Sequence, residues 1–179
     1  MILVTGGTGL IGSHLLYYLV NKGERVRALR RKGSRTEEVK KVFSYYSEHA
    51  EELFSKIVWA EGDLLDQFSL EDAMKGVVHV YHCAAKVSMG HETREEILRN
   101  NVDGTANLLA AAMNENILKF CHVSSSAALG ITRNGSEITE ETPWNEHTGF
   151  SAYALSKYLS EKEEHLNESL FSNVLIYKK

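Results

Sequence analysis

The chain has 179 residues, 43% of them hydrophobic, which suits one globular domain with a buried core. A net charge of -4 and a pI near 6.1 give no general attraction to nucleic acid or anionic lipid, so neither partner is expected. No apolar stretch approaches the roughly 20 residues that cross a bilayer, and the chain opens on a strand without a charged leader, which predicts a cytoplasmic protein.

Six short apolar runs alternate with helix-forming segments, the pattern of βαβ units on a parallel sheet. It predicts an α/β fold of the Rossmann type, a doubly wound parallel sheet with helices on both faces. The predicted strands are 2–5, 25–29, 56–59, 77–83, 120–124 and 173–177. Helices are predicted at 14–22, 36–54 and 152–170. A Ser69-x-x-Asp72 capping box predicts the start of a short helix that Gly76 ends, and a Thr93-x-x-Glu96 capping box predicts the start of a helix that continues to about residue 114.

The first strand leads directly into a glycine-rich turn and then into the first helix. Gly7, Gly9 and Gly12 fit G-x-G-x-x-G, and Gly6, Gly9 and Gly12 fit the related G-x-x-G-x-x-G spacing. Such a turn admits a pyrophosphate close to backbone, and the following helix points free N–H groups at the anion. The predicted cofactor contacts here are Thr5, Gly6, Gly7, Thr8, Gly9, Leu10, Ile11 and Gly12. No Lys-Ser or Lys-Thr follows Gly12, so a nucleoside triphosphatase is not expected.

The end of the second strand bears on which dinucleotide binds. NAD-binding proteins usually carry an acidic residue there for the adenosine ribose, whereas this chain has Arg30 and Arg31. A guanidinium can donate two parallel hydrogen bonds to a 2′-phosphate, so Arg30 predicts NADP, with NAD as the alternative. A solvated basic loop continuing through Lys32 and Arg35 would explain the same residues.

Gly62-Asp63-Leu64 follows the third strand. Asp63 is placed to accept a hydrogen bond from an adenine amine, and Leu64 is placed to cover the ring. A carboxylate at this position could equally be a turn residue.

The predicted chemistry lies in two segments after the fifth strand. Ser124, Ser125 and Ser126 stand at its end, and Tyr153 and Lys157 lie four residues apart on one face of the last helix. An ammonium near the phenol favours phenolate and lowers a pKa that is otherwise near 10, which makes the tyrosine a usable acid and base. Ser126 would hydrogen-bond the substrate oxygen on which charge develops.

The histidines and cysteines indicate neither a metal site nor a reactive thiol. His79 and His82 are three apart on a strand and face opposite sides, and no metal-ligand spacing appears, so no metal is expected. Cys83 and Cys121 fall in predicted strands, where a free thiol behaves as a small apolar side chain.

These motifs together resemble the short-chain dehydrogenase/reductase superfamily, in its extended, atypical branch of NAD-dependent epimerases and dehydratases and dihydroflavonol-4-reductase-like enzymes. The resemblance covers nearly the whole chain. It rests on the glycine turn, Gly62-Asp63-Leu64, His82-Cys83-Ala84-Ala85, Asn101-Val102-Asp103-Gly104-Thr105, Ser124-Ser125-Ser126 and Tyr153-x-x-x-Lys157.

The resemblance implies a role for each matched residue. Tyr153 would be the proton donor or acceptor and would also contact the cofactor, and Lys157 would bind the nicotinamide ribose while lowering the pKa of the tyrosine. Ser126 matches the catalytic serine, with Ser124 and Ser125 as alternative claimants to that role, and Ser124 is also an expected cofactor contact. Asn101 matches an asparagine that supports the active site. Ala84 and Ala85 match small residues that pass close to the cofactor.

Arg30 and the segment from His79 to Ser88 look more like dihydroflavonol-reductase-like proteins than like sugar epimerases. The expected activity is hydride transfer between the nicotinamide and a small ketone or secondary alcohol. Two alternatives stay open, a nucleotide-sugar epimerase or dehydratase and a noncatalytic dinucleotide-binding sensor or fragment. The loop Glu140-Glu141-Thr142-Pro143-Trp144-Asn145-Glu146 would border the substrate, or Trp144 would simply anchor it.

The resemblance also carries two expectations about the whole protein. Members of this family continue for a hundred or more residues into a segment that builds the substrate pocket, so we expect this chain to be a truncated form or a fragment that lacks it. The family pairs its two long helices, here 94–114 and 152–170, which implies a twofold homodimer.

Overall fold

The computed structural model of the protein describes residues 1–87, 90, 92–132, 137–144, 149–167 and 174–177. Several predicted features extend past these ranges. Ser88, Asn145 and Glu146, residues 168–170 of the last predicted helix, and Asn173 at the start of the last predicted strand all lie outside the described residues.

Six parallel strands form one sheet in the order β3-β2-β1-β4-β5-β6. The strands are β1 (Ile2–Thr5), β2 (Val26–Arg30), β3 (Val58–Glu61), β4 (His79–His82), β5 (Lys119–Val123) and β6 (Val174–Tyr177). The chain builds β1, β2 and β3 outward to one side and then returns to place β4 on the other side of β1. The predicted doubly wound α/β fold is confirmed, with strand bounds that differ from the predicted ones by at most two residues.

The helices are α1 (Leu10–Asn21), α2 (Glu37–Ser44), α3 (Ala50–Ser55), α4 (Gln67–Met74), α5 (Arg94–Leu98), α6 (Gly104–Ala112) and α7 (Ala152–Asn167). A π-helical segment, Arg99–Asp103, joins α5 to α6, and a 3₁₀ turn, Ser126–Ala128, follows β5. Because the π segment inserts a wider turn into what was predicted as one regular helix, it changes the direction of the side chains around Asn101.

The helix predicted at 36–54 is wrong in one respect, because the segment forms two helices. The Ser47 hydroxyl accepts a hydrogen bond from the backbone N–H of His49 at 3.0 Å, which gives the backbone a turn in place of a continued helix. Ring stacking between Tyr17 and Tyr46, with centroids 4.6 Å apart, holds this turn on α1.

The capping box at Ser69 is also wrong, whereas the one at Thr93 is confirmed. Asp66 is the N-cap of α4 and accepts from the Phe68 N–H, while Ser69 lies inside the helix and donates to the Asp66 carbonyl at 2.9 Å. Asp is among the preferred N-cap residues, so it takes the position from a serine three residues later. At α5 both halves of the Thr93–Glu96 box are present.

The core lies in two layers, one on each face of the sheet. Along β1, Ile2 and Val4 face the layer formed with α1, α2 and α3, and Leu3 faces the layer formed with α4 and α6. A strand buried on both faces is apolar at every position, which explains why the opening Met-Ile-Leu-Val run is continuous rather than alternating.

No helix in the described ranges is both long and apolar enough to cross a bilayer. Cys83 and Cys121 are free thiols and half-buried. Burial, with Cys121 nearby, raises the pKa of the Cys83 thiol to about 12, so this thiol stays protonated.

Candidate functional site

A cleft of about 470 Å³ opens at the carboxyl ends of the strands, where the chain changes direction between β1 and β4. Open α/β sheets bind ligands at such switch points because the loops on either side diverge there. The cleft is lined by residues from the glycine turn, from the ends of β2, β3 and β4, and from the π segment. Ten of the predicted site residues line it: Thr5, Gly6, Thr8, Gly9, Arg30, Asp63, Leu64, Ala84, Ala85 and Asn101.

The glycine turn requires glycine at Gly6 and Gly12 for different reasons. Gly6 has a φ of 67°, and a Cβ there would lie 2.6 Å from the backbone nitrogen of Ala84. At Gly12 a Cβ would overlap the carbonyl oxygen of Gly6. The Gly6, Gly9, Gly12 spacing is therefore the one that shapes the turn, while Gly7 faces the Leu16 side chain away from the cleft.

Helix α1 begins where this turn ends. Its N-cap is Gly9, which lines the cleft, so the free N–H groups of the first turn start at the cleft wall. Leu10 is 71% exposed and Ile11 is half-buried, and neither lines the cleft.

At the end of β2, the two arginines have different surroundings. The Arg30 guanidinium lies over the Trp59 ring, 5.9 Å from its centroid, and its Nε is buried. Arg31 is exposed and lines both the main cleft and a shallower one beside it, together with Ser34. Arg31 and Ser34 were not among the predicted contacts, although the Arg-Arg pair in the sequence pointed to this loop.

Asp63 and Leu64 both line the cleft after β3. The Asp63 Oδ1 accepts from the backbone N–H of Leu65 at 2.9 Å, the contact expected of a turn residue. Leu64 packs against Gly104, where a Cβ would come within 3.0 Å of the leucine side chain. The adenine contacts of both residues remain predictions.

Helix α7 is docked on the end of β5 by buried polar contacts. The Lys157 ammonium is 2.8 Å from the Val123 carbonyl and 3.0 Å from Nε2 of His122, to both of which it donates. Lys157 is only 2% exposed. Ser124 is buried and donates its hydroxyl to the Glu161 carboxylate at 2.5 Å, so its side chain faces α7.

Tyr153 and Ser126 lie at the open side of this junction. Tyr153 is half-buried in the first turn of α7, and Ser126 is exposed at the start of the 3₁₀ turn, against which α7 packs. Tyr153, Lys157, Ser124 and Ser126 do not line the described cleft. Their catalytic and cofactor roles remain predictions.

Asn101 connects the cleft to α7. Its Oδ1 accepts from the Lys86 N–H at 2.7 Å, and its amide donates to the Lys86 carbonyl at 2.9 Å and to the Ser156 hydroxyl at 2.8 Å. One buried amide thus fixes the loop after β4 to the helix that carries Tyr153. The resemblance pointed to Asn101, but only the π segment explains how its side chain reaches both partners.

Trp144 anchors its loop on α7. Its ring stacks between Phe150, at a centroid distance of 3.8 Å, and Tyr158, at 4.2 Å. This arrangement favours the anchoring interpretation.

Sequence reasoning missed several residues that line the cleft: Leu29, Arg31, Ser34, Gly62, Cys83, Lys86, Val87, Glu92 and Asn100. Most adjoin a residue that was predicted, because a strand end brings its whole neighbourhood to the cleft. Leu29 and Cys83 are the last residues of two predicted strands, and extending each predicted strand end by three residues would have found Arg31, Gly62 and Lys86.

Comparison with known proteins gives one family match. The profile described as the NAD dependent epimerase/dehydratase family matches residues 2–168. A Synechocystis protein named "Putative dihydroflavonol 4-reductase" is 35% identical over 160 residues, which are 89% of this chain and 43% of that protein. The chain thus spans less than half the length of this curated relative.

Solved structures agree with the fold. The crystal structure of gox2253 matches with a TM-score of 0.82 and 33% identity, covering 98% of this chain and 50% of that one. UDP-glucuronic acid 4-epimerase from Bacillus cereus, solved with NAD, matches with a TM-score of 0.76 and 26% identity, covering 98% of this chain and 54% of that one.

Proposed function

The chain belongs to the NAD-dependent epimerase/dehydratase family, and we propose that it forms the dinucleotide-binding and acid–base part of an oxidoreductase. Its substrate would be a small ketone or secondary alcohol. The observation that supports this most is the cleft at the β1–β4 switch point, because Asn101 links its wall directly to the helix of Tyr153 and Lys157.

The residues that line the cleft fit a dinucleotide. The Gly6–Gly12 turn keeps backbone close to the cleft, the start of α1 offers N–H donors for a pyrophosphate, and Leu64 gives an apolar surface for a ring. When bound, the nicotinamide would supply or accept the hydride. Tyr153 would exchange the proton with the substrate oxygen, Ser126 would hydrogen-bond that oxygen, and the Lys157 ammonium, held at the end of β5, would favour the phenolate.

The test is Tyr153→Phe, which removes the hydroxyl and keeps the ring. We expect turnover of a carbonyl substrate to fall by about 100-fold or more, as for loss of a general acid. Cofactor affinity, measured by calorimetry, should stay within about 10-fold, since loss of one hydrogen bond costs about 0.5–1.5 kcal/mol. A variant that retains turnover would contradict the assigned mechanism.

For the cofactor, we propose NADP. Two guanidinium groups stand at the end of β2, and the exposed Arg31 with Ser34 offers donors to a 2′-phosphate. Calorimetric titration should show tighter binding of NADP than of NAD, and Arg31→Gln should remove the difference by weakening NADP alone. The packed Arg30→Gln serves as the comparison, and a clear NAD preference in the wild type would contradict the proposal.

A nucleotide-sugar epimerase or dehydratase is the second candidate, supported by the fold shared with the UDP-glucuronic acid 4-epimerase. Such an enzyme would release no reduced cofactor, so turnover of a nucleotide sugar without a change in absorbance of the reduced nicotinamide would favour it. Cofactor binding with no turnover across carbonyls and nucleotide sugars would instead favour a sensor.

We also propose a homodimer through the helical surface of α5, α6 and α7. It is supported by the resemblance, and Met113, 53% exposed just after α6, gives that region an apolar side chain. Light scattering should give twice the monomer mass, and a monomer at micromolar concentration would contradict this assembly.

A further inference from the structure

His82 lies beneath the cleft at the end of β4 and does not line it. The side chain is 1% exposed. Its Nδ1 is 2.7 Å from the Thr5 hydroxyl, and its Nε2 is 3.0 Å from the Thr105 hydroxyl. The imidazole therefore joins the strand that carries the glycine turn to the helix that follows the π segment.

The donor and acceptor of each hydrogen bond that links Thr5, His82, Thr105 and Asn101 follow from the chemistry of these groups. The Thr105 hydroxyl is 2.6 Å from the Asn101 carbonyl, which can only accept, so the Thr105 proton is committed there. Thr105 must then accept from an N–H on Nε2 of His82. In a neutral imidazole this leaves Nδ1 as the acceptor, so Thr5 donates to it.

His82 is neutral in the folded protein. Burial, with the nearby Lys157 charge, lowers the pKa of His82 to about 3. The imidazole therefore carries a single N–H across the neutral range, and the order of donors and acceptors is fixed.

At the Thr5 end, this hydrogen-bond network reaches the wall of the cleft. With its proton on His82, the Thr5 oxygen accepts from the Ala84 N–H at 3.3 Å. Ala84 lines the cleft and is also the residue whose backbone Gly6 approaches most closely. This end therefore holds the loop after β4 against the glycine turn.

At the Thr105 end, the hydrogen-bond network reaches α7 through the π segment. The Asn101 carbonyl that receives the Thr105 proton also accepts from the Ser160 hydroxyl at 3.1 Å. The Asn101 side chain in turn clamps Lys86 and Ser156. This end therefore fixes the π segment relative to the helix of Tyr153 and Lys157.

We propose that His82 is a positioning residue with two separable arms, one that sets the cofactor-side loop through Thr5 and one that sets the catalytic helix through Thr105 and Asn101. The kinetic part of this inference rests on the proposed oxidoreductase function. Its structural part does not, because the loop and the π segment can be observed without turnover.

Two amide substitutions separate the arms. In His82→Asn the Oδ1 occupies roughly the place of Nδ1 and keeps an acceptor for Thr5, while the donor to Thr105 is lost. In His82→Gln the amide nitrogen reaches the place of Nε2 and keeps the donor to Thr105, while the acceptor for Thr5 is lost. Thr105→Val removes the second arm alone, and Thr105→Ser restores its hydroxyl.

We expect the cofactor dissociation constant, measured by fluorescence titration with NADPH and NADH, to rise about 3- to 10-fold in His82→Gln, the effect of one hydrogen bond. It should stay within about 2-fold in His82→Asn and Thr105→Val. Those two variants should instead lower kcat and speed amide exchange across residues 99–103, and Thr105→Ser should recover both. Circular dichroism confirms that each variant is folded.

A wild type that binds neither dinucleotide would overturn the proposed function, and amide exchange across residues 99–103 in Thr105→Val against Thr105→Ser would then decide the structural part of this inference. A wild type that binds one, with His82→Gln and His82→Asn affecting affinity, kcat and exchange equally, would overturn the two-armed role alone and leave the proposed function standing. If His82→Gln does not fold, Thr105→Val against Thr105→Ser decides, since equal kcat and equal exchange in that pair contradict the second arm.

Discussion

Replacement of Gly6 by alanine tests whether the glycine turn depends on its contact with the loop after β4. Gly6→Ala has two costs. A side chain at a φ of 67° is strained by about 1–2 kcal/mol. The new Cβ would also lie 2.6 Å from the Ala84 nitrogen and 2.7 Å from the Cys83 carbonyl carbon, which forces backbone apart at a further cost of about 1–3 kcal/mol.

Gly23→Ala provides the matched control. Gly23 has a φ of 80° and nothing within 4 Å of its Cβ position, so it bears the first cost only. The difference between the two variants therefore isolates the close approach to Ala84. For a domain of this size, about 1–3 kcal/mol corresponds to a melting temperature lower by roughly 2–12 °C in Gly6→Ala than in Gly23→Ala.

Scanning calorimetry measures the melting temperatures, and calorimetric titration measures dinucleotide affinity. We expect only Gly6→Ala to weaken cofactor binding, because the displaced Ala84 lines the cleft. Equal melting temperatures and equal affinities in the two variants would refute the contact between the turn and this loop as a determinant of the site.

Three further predictions concern the fold. Thr93→Ala should lower the free energy of unfolding by about 1 kcal/mol by removing the capping box, while Thr93→Ser should not; equal thermal stabilities would contradict this. Burial lowers the pKa values of His82 and His122, so below about pH 6.5 the unfolded chain binds more protons than the folded one. The free energy of unfolding should therefore fall as the pH is lowered from there, by up to about 1.4 kcal/mol per pH unit for His82 until its folded pKa of about 3, with His122 adding in the same direction; urea titrations that show no dependence between pH 6.5 and 4 would exclude this. Phe120→Ala, at a fully buried ring, should cost about 3–5 kcal/mol, and Phe68→Ala, at a ring 81% exposed, about 0.5 or less; similar urea midpoints for the two would contradict the described core.

The order of elements was predictable because each signal is local. Apolar runs, glycine spacing and the Thr93–Glu96 box act over a few residues, and they placed all six strands in order. The errors arose where local signals compete. Asp66 took the N-cap position from Ser69, and the hydroxyl of Ser47 ended a helix that composition alone would have continued.

The site was predictable as a set of strand ends but not as a network. Parallel strands carry their carboxyl ends to one edge, so Thr5, Arg30, Asp63 and Ala84 meet at the cleft. The partners of Asn101 and His82 come from segments that are far apart in the sequence, and no spacing in the chain encodes them.

By itself the sequence determined a doubly wound fold with a glycine turn, because backbone conformation and burial preference are properties of short segments. The tertiary structure alone decided which glycine must avoid the backbone of Ala84, which arginine packs on Trp59 and which is exposed, and how a buried imidazole joins β1 to α6. Those outcomes depend on distances between atoms that only packing brings together, and a hydrogen bond exists only once its donor and acceptor are within about 3 Å.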